Sequence, residues 1–190
     1  MNHIKLLVVL FLFGAVSCKS PEQKTDKLKM ATAYYQGLDN SDHVMVAALI
    51  ADSLLTRESQ YDYEQTFSKS EYVEWIKWDS VFDPTYKILE IQLQGEVVKA
   101  RISKIDQRLR FLHKNPMITS EVIRFDRGKI SGVERTEYLN FNEERFVKQR
   151  EQLLTWIDQN HPELSGFIHD QTREGGLKYL KAIQLYNNRE

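Results

Sequence analysis

The chain has 190 residues, with 26 lysines and arginines against 27 aspartates and glutamates, and a single cysteine. A net charge of −1 offers no basic face for nucleic acid. One thiol excludes an internal disulfide and a cysteine-built metal site, and this length suits one domain with a sizeable core.

The chain opens as a secretory leader. Lys5 supplies a weakly basic start, residues 6–16 are apolar apart from Gly14, and Ala15-Val16-Ser17 places small residues before Cys18. The apolar run is too short to span a bilayer, which takes ~20 residues. Ala15 and Ser17 also suit an ordinary signal peptidase, but the only cysteine stands where lipoprotein processing needs a thiol. The expectation is a bacterial lipoprotein: signal peptide 1–17, Cys18 lipidated and palmitate-labelled, and a polar tether over 18–27 containing Pro21. Only Glu22 is acidic just after the cysteine, which favours a membrane-anchored, periplasm-facing envelope protein. The membrane is thus one expected partner, reached through the lipid.

Residues 28–38 read as a first helix, with Met30, Ala31, Tyr34, Tyr35 and Leu38 on one stripe. Asp39 to Asp42 interrupt it, a short helix follows over 44–50, and 53–58 reads as a strand. Ser68 and Glu71 form a capping box flanked by the staple pair Phe67 and Tyr72. The helix behind it carries Tyr72, Trp75, Ile76, Trp78 and Phe82, and Asp83-Pro84 stops it. Period-two alternation then gives strands at 89–93 and 98–102. Residues 106–115 are either a continuation of the strand or a mobile polar loop. A hairpin pairs 117–125 with 130–138 around Gly128. The remaining residues return to helix, with Phe146, Arg150, Leu153, Leu154 and Ile157 on one face, Pro162 at a helix start, and Gly175-Gly176 breaking the chain before a last helix. The fold class is α+β: helices, then an antiparallel sheet, then a helical tail expected to pack on that sheet.

Two or three helices followed by strands closing on Val122-Ile123-Arg124-Phe125-Asp126-Arg127-Gly128-Lys129-Ile130 resemble the nuclear transport factor 2-like (SnoaL-like) superfamily. The resemblance covers 28–138, and the helical tail lies outside it. After Ile130 the family often carries an acidic residue and then a Trp, where this chain has Gly132 and Glu134. The resemblance implies a cone-shaped domain over 28–139, with a curved antiparallel sheet wrapped around the N-terminal helices and an apolar pocket at the open end. Residues 140–190 would be a C-terminal helical extension on the same domain.

The resemblance also nominates residues. Tyr34 falls where ketosteroid isomerases place an oxyanion-donating Tyr, Glu58 where they place a proton-shuttling Asp, and Glu121 where they keep a protonated Asp and polyketide cyclases keep their acid. Such chemistry takes a proton beside a carbonyl and holds the enolate oxygen. Both acids are one methylene longer here, which displaces an oriented carboxyl. The expected pocket is lined by Tyr34, Trp75, Trp78, Glu121 and Ile123, with Trp75 and Phe125 in the core. His43, His113, His161 and His169 show no metal-ligand spacing, so no metal or cofactor is expected. Three functions remain open: a non-catalytic cone binding a small apolar ligand or an envelope protein; an isomerase- or cyclase-like enzyme using Glu58 and Glu121; and a structural subunit docking through its tail. The oligomeric state stays open, a dimer included.

Overall fold

A computed structural model describes residues 21–189; the leader and Cys18 lie outside the described residues. Helix α1 (Pro21–Asp39) begins inside the stretch expected to be tether. It buries Ala31, Tyr34, Tyr35 and Leu38, the i, i+3, i+4, i+7 stripe of an amphipathic helix. Asp42 caps α2 (His43–Leu49) by accepting from the Met45 amide at 2.9 Å. Strand β1 (Ile50–Glu58) follows, then a 3-10 turn at Ser59–Tyr61 and β2 (Tyr63–Ser68). Strand β2 was not expected: it is an edge strand whose one buried residue is Phe67, so it carries no apolar alternation to read.

Helix α3 (Lys69–Ser80) starts at the expected capping box. The Ser68 amide donates to Glu71 Oε2 at 2.7 Å, the Glu71 amide donates back to Ser68 Oγ, and the Phe67 and Tyr72 rings meet edge to face. Strands β3 (Thr85–Gln94) and β4 (Val97–Ile105) form the next hairpin. Residues 106–115, expected as strand or loop, contain a helix instead: α4 (Gln107–Leu112), capped by Asp106 and anchored by buried Leu109 and Leu112. Its apolar residues sit three apart, one turn of helix, which a six-residue element shows only once. His113 is correspondingly buried, its ring nitrogens held by the backbone of Asn115, Asn140 and Asn142.

Strands β5 (Met117–Asp126) and β6 (Lys129–Tyr138) close a hairpin on Arg127 and Gly128, both at positive φ as a primed turn requires. Among the described residues the strands form one sheet in the order β2-β1-β6-β5-β4-β3. All neighbours are antiparallel except β1 and β6, which run parallel, a departure from the expected all-antiparallel sheet. Register shifts at Ile88/Glu90, Ser120/Glu121 and Arg124/Phe125 curve it. Its concave face, α1, α2 and α3 enclose the first core around Tyr34, Ile50, Leu54, Ile102 and Ile123.

The tail packs on helices, not on the sheet. Helices α5 (Glu143–Asn160) and α6 (Arg173–Asn187) lie against α3 and α4 and build a second core from Trp78, Phe82, Leu153, Ile157, Phe167, Tyr179 and Ile183. Gly175 and Gly176 do not break the chain but occupy the first turn of α6. A Cβ at Gly175 would lie 2.1 Å from the Asp170 carbonyl oxygen, so the close approach of that backbone requires glycine. No described helix is long and apolar enough to cross a membrane.

Candidate ligand cavity

Sheet order brings three charged residues into line. Glu58 on β1 and Glu121 on β5 both stand opposite Arg135 on the intervening β6. Arg135 Nη1 donates to Glu58 Oε1 at 2.7 Å and to the Tyr138 hydroxyl at 3.2 Å; its Nε donates to Glu121 Oε1 at 3.2 Å. Glu121 is almost wholly buried, and it also accepts from Thr119 Oγ1 and from the Tyr35 hydroxyl, each at 2.8 Å. Its two oxygens are thus taken by three internal donors. Burial opposes the Arg135 charge, but Glu121, Tyr138 and Glu58 outweigh it and hold the guanidinium pKa well above its usual value. Burial raises the Tyr138 hydroxyl to about 12, against the lowering pull of Arg135.

The two neighbouring tyrosines of α1 have different partners. Tyr34 hydrogen-bonds the Tyr72 hydroxyl inside the core, whereas Tyr35 reaches Glu121. Burial raises both phenols well above their usual range, followed by Tyr72 for Tyr34 and by Glu121 for Tyr35. Tyr34, nominated as an oxyanion donor, has its hydroxyl paired with that of Tyr72.

Two cavities meet at this trio. The smaller, about 160 Å³, is bordered by Tyr34, Tyr35, Trp75, Glu58, Glu121 and Arg135. The larger, about 410 Å³, shares the two acids, Trp75 and Arg135, and extends under the tail, where Phe146, Val147 and Arg150 of α5 form its cover. That volume lies within the range of small-molecule sites. Tyr34 lines only the smaller cavity and Trp78 only the larger, whereas Trp75, Glu121 and Glu58 border both. Ile123 lines neither; it is fully buried in the first core. Trp75 and Phe125, expected as core, are half-buried at its margin. Trp75 stacks on Tyr72 with ring centroids 5.3 Å apart and presents the rest of its ring to the cavity.

A second polar cluster lies beside the larger cavity and reaches it through Tyr86, Lys104 and Arg108. Buried Asp79 accepts from Lys104 Nζ at 2.5 Å and from the Tyr86 hydroxyl at 2.8 Å. Asp106, fully buried, accepts from the Leu109 amide at 2.6 Å and pairs with Arg108 at 3.5 Å and Lys104 at 3.6 Å. Burial alone would raise the Asp106 pKa, but Arg108, Lys104 and the Leu109 amide together hold it below the usual value. A depressed folded pKa stabilises the fold above the unfolded value of ~3.9, and that contribution is lost as pH falls through the folded value. Asp106→Asn keeps a capping acceptor but removes the charge. Circular-dichroism melts from pH 7 down to pH 3 are expected to show it less stable than wild type at neutral pH, with a shallower loss below about pH 4.

Among the described residues no cluster of His, Cys, Asp and Glu could hold a metal ion. Arg135, Tyr35 and Arg150 were not expected in the site. Cross-strand register, absent from any local pattern, is what selects Arg135.

No protein-family model and no curated protein matches the chain. Solved structures do. A putative ketosteroid isomerase from Kribbella flavida is similar at 13% identity, covering 64% of this chain and 83% of its own, with a TM-score of 0.52. PrhC from Penicillium brasilianum is similar at 10% identity over 72% of this chain and 91% of its own, TM-score 0.50. A nuclear transport factor 2-like protein of unknown function from Burkholderia xenovorans is similar at 13% identity over 65% of this chain and 92% of its own, TM-score 0.49. At such identities the likeness is one of fold: the chain has the curved-sheet cone architecture of nuclear transport factor 2-like and ketosteroid isomerase-like proteins.

Proposed function

We propose that this protein is a lipid-anchored, non-catalytic ligand-binding cone of the bacterial envelope, which holds a small, largely apolar molecule in the cavity beneath α5. The observation that carries the ligand reading is the state of the cavity's polar groups. Glu121 is consumed by Tyr35, Thr119 and Arg135, and Tyr34 by Tyr72, while aromatic rings supply much of the remaining wall. A carboxylate locked by a guanidinium and two hydroxyls is a structural acceptor, not a poised acid. Purifying the protein from envelopes and extracting it with organic solvent tests this: a stoichiometric small molecule is expected, and a clean extract counts against the reading.

The anchor rests on the leader and Cys18. Cys18→Ser is expected to accumulate as precursor and to take up no radioactive palmitate; unchanged labelling removes the anchor.

A second reading, an isomerase- or cyclase-like enzyme on a carbonyl substrate, draws support from the meeting of Tyr34, Glu58 and Glu121 at one cavity. Glu58 keeps one carboxylate oxygen outside the Arg135 pair and is 30% exposed. If that reading holds, the protein exchanges the α-protons of a cyclic ketone with deuterated water, and Glu58→Gln abolishes the exchange. Docking through the tail has less support, because the apolar faces of α5 and α6 are spent in the second core.

A further inference from the structure

The donors and acceptors around the larger cavity are unequally spent. Of the carboxylates that line it, Glu121 is engaged on both oxygens by Thr119, Arg135 and Tyr35, Glu58 pairs with Arg135, and Glu143 is exposed. Beside the lining, Asp79 is held by Lys104 and Tyr86, and Asp106 by the Leu109 amide and Arg108. The donors are not so engaged. Arg150 is half-buried on α5 and lines the cavity, yet among the described residues it makes no hydrogen bond or ion pair. Its charge acts on the Tyr179 hydroxyl, and no carboxylate meets it. Trp78 Nε1 and Arg108 Nε, on two further side chains of the same wall, are buried without a partner. A half-buried guanidinium with five free donors lacks a counter-charge that burial makes valuable.

We infer that the cavity takes a small amphipathic organic anion, with its apolar body against Trp75, Tyr86 and Phe146 and its carboxylate or sulfonate on the Arg150 guanidinium. This rests on the ligand-binding reading and narrows it from apolar molecules to organic acids. The geometry suits a forked contact, since a planar guanidinium meets a carboxylate or sulfonate through two parallel N–H donors. The anion holder stands on the helical tail, not on the cone.

A matched pair of fluorescent probes isolates the anion: 1-anilinonaphthalene-8-sulfonate and N-phenyl-1-naphthylamine, which share an aromatic body and differ by the sulfonate. Wild type is expected to bind the sulfonate about tenfold more tightly than the neutral amine, as one charge-assisted pair gives. Arg150→Met should bring the sulfonate down to the neutral probe's affinity and leave the neutral probe within about twofold, which also reports an intact cavity. Arg150→Lys should fall between, keeping the charge and losing the fork. Decanoate should displace the sulfonate at about tenfold lower concentration than decanol does. Equal binding of the two probes by wild type, or a sulfonate affinity untouched by Arg150→Met, overturns the anion inference and leaves ligand binding standing. Failure of both probes to bind wild type overturns both.

Discussion

Truncation after Tyr138 is expected to give an insoluble or self-associating product. The missing segment supplies Leu153, Ile157, Phe167, Tyr179, Ile183 and Tyr186, which close over Trp78 and Phe82 from the retained part. Phe82 is fully buried and Trp78 nearly so. Exposing each costs about 1.5–3 kcal/mol, and Leu109 and Leu112 of α4 lose cover as well. The sum is a large share of the ~5–15 kcal/mol that holds a domain together. Size-exclusion chromatography and thermal melts check it. A soluble, monomeric truncate with an unchanged melting temperature contradicts the second core and restores the tail as a docking element.

The second large effect is at Arg135. Arg135→Met keeps the bulk of the side chain but leaves Glu121 buried beside Glu58 with no cation. Breaking a buried pair from one side typically costs ~3–5 kcal/mol; with Arg135 33% exposed, about 2–4 kcal/mol is expected here. The double variant Arg135→Met, Glu121→Gln should recover most of this, because an amide needs no counter-charge. Urea unfolding of the two variants measures the difference. If the single variant loses under ~0.5 kcal/mol, the trio contributes nothing and the claim that Glu121 is a locked acceptor fails.

What the sequence showed and concealed follows from the range of each signal. The capping box at Ser68 and Glu71, the turn at Gly128 and the apolar stripe of α1 are local, and each lies where the residues put it. The cone itself was legible from the final hairpin together with the helices before it. Short elements were not: β2 buries one side chain, and α4 is little more than a turn long. The glycine pair at 175–176 misled because a helix interior disfavours glycine, and the contact that demands it, Asp170 against Gly175, is tertiary. Tyr34 and Tyr35 share a helix face, so no pattern tells which one reaches Glu121; the fold gives that bond to Tyr35. Arg135 became visible only when the parallel pairing of β1 with β6 set both acids beside it. Arg150 reads in sequence as one of many surface cations, and its role depends on where α5 lies.

The central claim, that the space between cone and tail is a ligand site, is tested most directly by methyl NMR during titration with N-phenyl-1-naphthylamine. The account predicts saturable shifts at the cavity methyls of Ile102, Leu109, Met117 and Val147, with the exposed Val44 and Leu89 unmoved. Shifts confined to Val44 and Leu89, or none at saturating probe, would contradict it.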